Sequence, residues 1–559
     1  MPEMILPGVY IEVRPEGLIV PGRVTVNNIG IVGTASKGDV GKPISLGSYA
    51  DAVQKLGRYD PWIDGKQNEL TLVRALELAF NNGATTVFAV RVAGASAASA
   101  NTQLTSAGGA NVKLEAEYPG TWGNDLKINV WDADQAAIVE NEKHSGGAAI
   151  TLSHTPIAKN ASNRIRMNNR VLNIGYDDGA GHVDPLQSGG VTVKLTDGKL
   201  TFPPGEDPSS NTDTVTATYA VEKASAFKVT LRLGRANDEV YTVVNGNDLV
   251  TDINDPLSGS AWVKATALAN AGQALMKSAA ADVFTPFFGG DNGAADADYE
   301  GGLDVLLDQE AHIIIAAGKD DDFGNTLDRH CQRASTDAIK HDRIAIVGSK
   351  PIPTGQTIEP IIIHNLNSDR VVFVAPGLKT RDNAASPPVS VMLPGAYTAA
   401  AVAGLLASFP PHISLTNKVL PVDDLERKYN TTDLTQLVEA RVVAVESHLG
   451  FHIVKGITTS TNTAWQQITT RRIVDYAKFG VRSAADPYIG LLNNERVRGA
   501  LRTTINSFLA EMVNDEMLIS YDLNVTATRQ QEIQGIVQVT MVLRPVFSID
   551  FIVVTMFLE

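Results

Sequence analysis

A single cysteine, Cys331, stands among 559 residues, so no intramolecular disulfide holds this fold together. Charged residues make up only 19% of the chain, below the ~25% usual for globular proteins. With 44% apolar residues, wholesale disorder is excluded and a large core is available. Basic residues are also in deficit, 47 against 62 acidic for a net charge of −15. That balance argues against a general nucleic-acid binder or an anionic-membrane binder, since either needs a basic surface. Long apolar runs are missing too. The longest, residues 396–409, falls short of the ~18–20 residues of a membrane-spanning helix and stops at Pro410 and Pro411. Residues 1–10 show no basic segment followed by an apolar core, so no secretory signal is expected and the chain reads as made in the cytosol.

Signatures of catalysis are equally scarce. There is no GxxxxGK[ST] phosphate loop, no GxGxxG after a strand and no GxSxG elbow. His448 and His452 have the spacing of a zinc helix, but Leu449 stands where the HExxH glutamate belongs, and residues 442–445 and 451–454 read as strands. Cys331 follows His330, yet adjacency in sequence is not the spatial pairing a thiol nucleophile needs. Asp320, Asp321 and Asp322, like Asp296 and Asp298, lack the ligand spacing of a calcium loop. The expectation is a chain that is not an enzyme, with no catalytic residue, no cofactor and no metal.

What the sequence does contain is uneven. Residues 101–300 hold 15 basic and 25 acidic residues, most of the net charge. Turn residues gather there, as in Ser145-Gly146-Gly147, Asp177-Asp178-Gly179 and Asn245-Gly246-Asn247. Between them lie short alternating runs such as 191–195 and 214–219, which read as strands of a half-exposed sheet. This is a β-rich surface insertion, placed at 96–295. Around it run buried-strand candidates at 30–33, 85–92, 312–317, 343–347 and 370–375, separated by helical stretches. That rhythm belongs to an α/β domain, placed at 23–95 and 296–430.

From residue 431 to 545 the pattern reads as a further domain. Residues 491–517 carry Val497, Leu501, Ile505, Phe508, Leu509 and Met512 on one helical stripe. Asn493 or Asn494 suits the start, and Asn514 suits a left-handed end. Arg498, Arg502 and Asn506 fall on the opposite face. The stretch 536–543 alternates like a strand, and 546–558 is apolar on both faces. Such a segment exposes unpaired backbone and apolar side chains unless something covers it. The first residues match it: Val9, Tyr10, Ile11 and Val13 lie in a cleanly alternating run, followed by Pro15, Gly17, Pro21 and Gly22 as a hinge. Two sticky arms, 1–22 and 546–559, suggest strand exchange between neighbours, with pairing inside the same subunit as the alternative. A strand lent to the next copy builds open helical polymers unless the rotation closes a ring.

These residues carry a resemblance. Pro7-Gly8-Val9-Tyr10-Ile11-Glu12, Pro119-Gly120-Thr121-Trp122-Gly123-Asn124-Asp125-Leu126 and Gly289-Gly290-Asp291-Asn292-Gly293 resemble phrases of the contractile tail sheath family of phage tails, R-type bacteriocins and contractile injection systems. So do Tyr299 with Gly302-Leu303-Asp304, Gly456-Ile457-Thr458-Thr459-Ser460 and Thr470-Arg471-Arg472-Ile473-Val474-Asp475, in the family's order. The resemblance implies an α+β or α/β multidomain fold: a tail-sheath core interrupted by the insertion, with extended N- and C-terminal strand arms.

It further implies a structural subunit that polymerises helically around an inner tube protein, meets baseplate and terminal cap proteins, and contracts to drive the tube through an envelope. Assembly in the bacterial cytoplasm is implied, without nucleic acid and without membrane insertion. The arm residues would be Val9, Tyr10, Ile11 and Val13 at one end and Ile549, Phe551, Val553 and Phe557 at the other. In this family a helix of the C-terminal domain lies near the tube, so Arg496, Arg498 and Arg502 become tube-facing candidates. Arg471 and Arg472 are expected to bind a neighbour or to solvate a strand edge. Residues 436–559 hold 11 basic and 12 acidic residues, so the acidic excess belongs to the insertion and not to this region. Two other readings remain: an α/β enzyme with a substrate domain, and a surface-display or adhesin module.

Overall fold

The computed structural model describes residues 27–557 apart from 63–69, 148, 210–211, 235–236, 354 and 386. Two compact units emerge, one made of residues up to Ala93 and from Ala294 onward, the other of Gly94–Gly293.

The first unit is built on an eight-stranded sheet. In spatial order its strands are Pro43–Leu46, Val87–Arg91, Ile29–Gly33, Ile313–Ala316, Ile344–Gly348, Val371–Ala375, Val443–Ser447 and Phe451–Ile453. The six central strands run parallel, and an antiparallel strand closes each edge. Parallel strands are covered on both faces, which is why these segments read as unbroken Val/Ile/Ala runs instead of alternating ones. The sheet continues past residue 430 through Val443–Ser447, so the α/β region takes in part of what the sequence pattern assigned to the next domain.

The apolar run at 396–409 becomes the helix Gly395–Ala407, buried at every position. It packs on Thr71–Asn81 so closely that a Cβ at Gly404 would overlap the Ala79 carbonyl. Tyr299 is buried beneath the sheet ends and hydrogen-bonds the Thr71 hydroxyl and the Ala317 carbonyl, both at 3.2 Å.

The second unit is almost entirely β. Ala137–Ser145, Thr214–Val221, Arg164–Met167, Arg170–Val171 and Ile157–Ala158 form one sheet. Asn173–Asp177, Gly190–Lys194, Lys199–Thr201 and Ile150–Thr151 form another. Alternation puts Ile165, Val191, Val193, Leu200, Val215, Ala217 and Tyr219 into one apolar core shared by these two sheets. Two Gly/Asn-rich phrases of this unit, around Asn124 and Gly290, hold each other. The Asn124 amide donates to the Gly290 carbonyl at 2.8 Å and accepts from the Gly290 N–H at 2.9 Å, while Asn292 donates to the Thr121 hydroxyl at 3.0 Å. Trp122, buried, donates its indole N–H to the Tyr118 carbonyl.

Candidate functional site

The C-terminal part of the first unit carries the site. Asn494 accepts from the Val497 N–H at 3.0 Å and starts the helix Glu495–Asn514, with Glu495 in its first turn. Leu501, Ile505, Phe508, Leu509 and Met512 form its buried stripe. The helix ends differently from the sequence expectation: Asn514 stays helical, and Glu516 takes the left-handed conformation at φ 60°. The preceding helix, Ile468–Ala485, crosses so closely that a Cβ at Gly480 would overlap the Phe508 ring. Tyr476 and Phe508 stack alongside, with centroids 5.8 Å apart.

An antiparallel hairpin, Leu518–Thr526 and Gln538–Pro545, lies on this helix pair. Its tip is the short helix Arg529–Ile533, capped by Thr528. Tyr521, Leu523, Val525, Val539, Met541 and Leu543 point into the shared core. Ile519, Asp522, Asn524, Thr540, Val542 and Arg544 point away. Among the described residues the hairpin is a sheet of two strands only, so the outer edge of each strand has no neighbour there. An edge of that kind is a template for another chain's strand.

The tail follows directly. The Val546 N–H donates to the Met517 carbonyl at 3.1 Å. Asp550 then turns inward, where Thr416 donates to it at 3.4 Å, Gln467 at 3.5 Å and Ser548 at 3.0 Å, with Lys455 at 3.6 Å. Its neighbours turn outward: Ile549 is 79% exposed, Phe551 80%, Val553 90% and Phe557 88%. Among the described residues, 546–557 pair with no strand. The N-terminal counterparts Val9, Tyr10, Ile11 and Val13 lie outside the described residues.

The arginines divide sharply. Arg496 and Arg502 are exposed. Arg498 is engaged within its own chain, 2.9 Å from Glu532 and 2.9 Å from Asn493, with 16% of its side chain exposed. Its charge therefore ties the helix to the hairpin tip, which corrects its expected place on the outward face.

Arg471 and Arg472, expected at a neighbour contact or a strand edge, are buried on the helix Ile468–Ala485. Arg471 reaches Asp369 at 2.9 Å and Asp475 at 2.6 Å. Arg472 donates to the Phe409 and Pro410 carbonyls and to Asn27, and burial pulls its guanidinium down to about 10. Arg370 extends the network, 2.9 Å from Asp475 and 3.4 Å from Asp342; burial opposes its charge, yet Asp475 outweighs that and holds it above its ordinary value. Lys478 and Arg482 close on Asp342. Four cations and three carboxylates thus fasten this helix to the ends of the sheet strands, while Arg472 ties it to the Phe409 and Pro410 carbonyls.

Sequence patterning also missed an exposed apolar patch around the start of the helix Glu495–Asn514: Ile489, Leu491 and Leu492, with Ile533 and Ile536 at the hairpin tip. Asn493 joins the two segments by donating to the Ile536 carbonyl at 3.0 Å. The signal was present as an Ile-Gly-Leu-Leu run between two helices, where no periodicity requires apolar residues.

The residues weighed for chemistry take structural places. His448 and His452 sit at the turn and on the second strand of the hairpin 443–453. Cys331 is fully buried on the helix Gly324–Ala334, and burial pushes its thiol up to about 12, the opposite of an activated nucleophile. Burial beside Arg343 pulls His330 down to about 3. Asp320 accepts from the Asp322 N–H, and Asp322 pairs with Lys350 at 2.5 Å. Asp296 pairs with Lys319, and Asp298 accepts from the Ala295 N–H at the start of its own helix, Asp296–Leu306. Among the described residues no group of His, Cys, Asp and Glu is arranged to hold a metal ion, and no helix is long and apolar enough to cross a membrane.

Residues 460–559 match the family model of the phage tail sheath C-terminal domain. No curated protein matches the chain in sequence. Among solved structures, the sheath tail protein of Desulfitobacterium hafniense aligns with a TM-score of 0.57 at 15% identity, covering 96% of this chain and 100% of that one. The sheath tail protein of Listeria innocua aligns at 0.51 and 14% identity, covering 95% of each chain. The helical sheath of the anti-feeding prophage in its contracted state aligns at 0.50 and 12% identity, covering 100% of both. At these identities the likeness is one of fold.

Proposed function

With residues 460–559 belonging to the phage tail sheath C-terminal domain family and the whole chain carrying the fold of sheath tail proteins, we propose that this chain is the subunit of a contractile sheath. Copies polymerise helically around an inner tube, and the polymer contracts to drive that tube through a target envelope. The observation that carries this reading is a pair of unmet needs on one surface. Among the described residues a two-stranded sheet keeps two open edges, and beside it an extended tail exposes Ile549, Phe551, Val553 and Phe557. A tail lent to a neighbour's hairpin edge satisfies both: main-chain hydrogen bonds hold the strand, and alternate side chains gain cover. Residues 1–13, with Val9, Tyr10, Ile11 and Val13, serve as the second lent strand.

The buried ion network supports motion of the body as a rigid piece. Breaking a buried pair costs about 3–5 kcal/mol, so reorientation falls to the arms, where strand pairing tolerates it. Asp550 is the fixed point from which the tail departs. Arg496 and Arg502 face the inner tube, where exposed ion pairs of ~0–1 kcal/mol each can be released during firing. Arg498 supports them from behind by holding the hairpin tip. The acidic unit Gly94–Gly293 is displayed on the outside of the cylinder, where like charge keeps a crowded polymer soluble. Baseplate and cap proteins are the expected end partners, assembly takes place in the bacterial cytoplasm, and the subunit works by repacking, with no chemistry of its own.

Electron microscopy of the expressed chain tests this directly. Hollow striated cylinders are expected from the intact protein, and folded subunits without tubes from chains lacking residues 548–559 or 1–13. Tubes of normal length from either truncated chain would sink the strand-exchange reading. Replacing Arg496 and Arg502 by Glu is expected to impair assembly on the tube and leave the subunit folded; unchanged assembly removes the tube-contact assignment.

A further inference from the structure

The unit Gly94–Gly293 has a groove that its own charge pattern leaves unexplained. Glu140, Asn141, Ser162, Arg164, Arg166, Thr216 and Thr218 line a depression of about 220 Å³ on one sheet. The register builds it. Arg164 lies opposite Thr218 and Arg166 opposite Thr216, so two arginines and two threonines share one face while Ile165, Val215, Ala217 and Tyr219 fill the core behind. A bulge in Ala137–Ser145 puts Asn141 at φ 53°, and its N–H donates to the Thr218 hydroxyl at 3.2 Å. Lys143 extends the same face beside Thr216.

The groove gathers two arginines in a unit that is acidic overall. Residues 101–300 hold 25 acidic residues, and six of their cations have carboxylate partners: Lys113, Lys194, Lys228, Arg232, Lys264 and Lys277. The side chains of Arg164, Arg166 and Lys143 make no hydrogen bond or ion pair among the described residues. Two guanidiniums two residues apart on a strand, converging on one polar groove, are a receptor for an anion.

The rest of the lining narrows the ligand. Every lining residue is polar, so the aromatic or aliphatic anchor at the centre of protein interfaces is missing. Glu140 would repel a dense polyanion but accepts hydroxyl donors, and Thr216, Ser162 and Asn141 complement hydroxyls in turn. The ligand must carry an anion and several hydroxyls on one compact body. We infer that this groove binds an acidic glycan, one uronic-acid residue at a time: its carboxylate on Arg164 and Arg166, its hydroxyls on Glu140, Asn141 and Thr216. This inference stands apart from the sheath reading, because it concerns only the surface of the unit Gly94–Gly293.

Titration calorimetry of the full chain with tetragalacturonate tests it, with maltotetraose as the neutral control and polyglutamate as the protein-like anion. Tetragalacturonate is expected to bind, and the doubly substituted chain Arg164→Gln, Arg166→Gln to bind it about tenfold or more weakly, corresponding to about 1.4 kcal/mol or more. Both arginines point away from the core, so the circular dichroism of that variant should match the parent. Glu140→Gln is expected to weaken tetragalacturonate while strengthening inorganic phosphate. The inference is overturned by no binding of tetragalacturonate, by equal binding of parent and double variant, or by maltotetraose or polyglutamate binding as tightly.

Discussion

The helix Ile468–Ala485 and the tail 546–557 reverse the usual arrangement of side chains in opposite senses. The helix hides charge: Arg471 and Asp475 are buried among Asp369, Arg370 and Asp342, and Arg472 is buried against the Phe409 and Pro410 carbonyls. The tail shows oil: eight of its side chains, from Phe547 to Phe557, are large, apolar and exposed. A buried charge persists only when partners inside the same chain neutralise it, so the helix is complete in the isolated subunit. Among the described residues the exposed apolar tail has no such cover, and the proposed strand exchange would supply it from a neighbouring copy. One region therefore reports on the stability of the body, the other on assembly.

That contrast can be broken most forcefully at Asp475. Asp475→Ala leaves Arg370 and Arg471 buried without their shared carboxylate and is expected to cost about 3–5 kcal/mol of subunit stability, read as a lower urea midpoint. The matching change in the tail, Phe551→Asp with Val553→Asp, is expected to abolish tube formation while moving that midpoint by less than about 0.5 kcal/mol. A tail variant that unfolds the subunit, or an Asp475 variant that spares it, would erase the distinction.

Gly480→Ala forces the crossing helices apart against Phe508 and is expected to cost about 1–3 kcal/mol, checked by thermal unfolding.

Acid sharpens the comparison from another side. His330 is held near 3 by burial and by Arg343, against an ordinary 6.5. A histidine with a lowered folded value leaves stability intact above 6.5 and removes it progressively as pH falls from 6.5 toward 3, because the unfolded chain takes the proton first. Between pH 7 and 5.5 this amounts to about 1 kcal/mol. Urea midpoints measured across that window should fall with pH, and His330→Gln should flatten the slope.

The smallest effect is expected at Asp550. Asp550→Asn weakens its contact with Lys455 and costs less than about 1 kcal/mol, but it loosens the tail, so limited proteolysis beyond residue 546 should quicken without loss of the body.

Much of the body was legible beforehand. Strands at 29–33, 87–91, 313–316, 344–348 and 371–375 announce themselves as short runs of Val, Ile and Ala, because a parallel sheet covered on both faces demands them. The helix Glu495–Asn514 was legible from its stripe and its Asn494 cap. The arginines were not. Whether Arg471, Arg472 or Arg498 faces water depends on Asp369, Phe409 and Glu532, which lie tens of residues or more away in sequence, and no local period encodes that distance. The end of the long helix was misjudged for a smaller reason. Asn514 and Glu516 can both adopt the left-handed turn, and Asn is merely the commoner choice.

By itself the sequence determined the quantities set by neighbours along the chain: strand and helix periods, the acidic β-rich insertion, and the apolar arm that needs cover. These follow from backbone geometry, which repeats every two or 3.6 residues whatever the rest of the chain does. Only the tertiary structure decided which charges are internal, which sheet edges stay open and which arginines share a groove. Those outcomes depend on contacts between distant segments, where burial and pairing set the energy of a charge and sequence order does not.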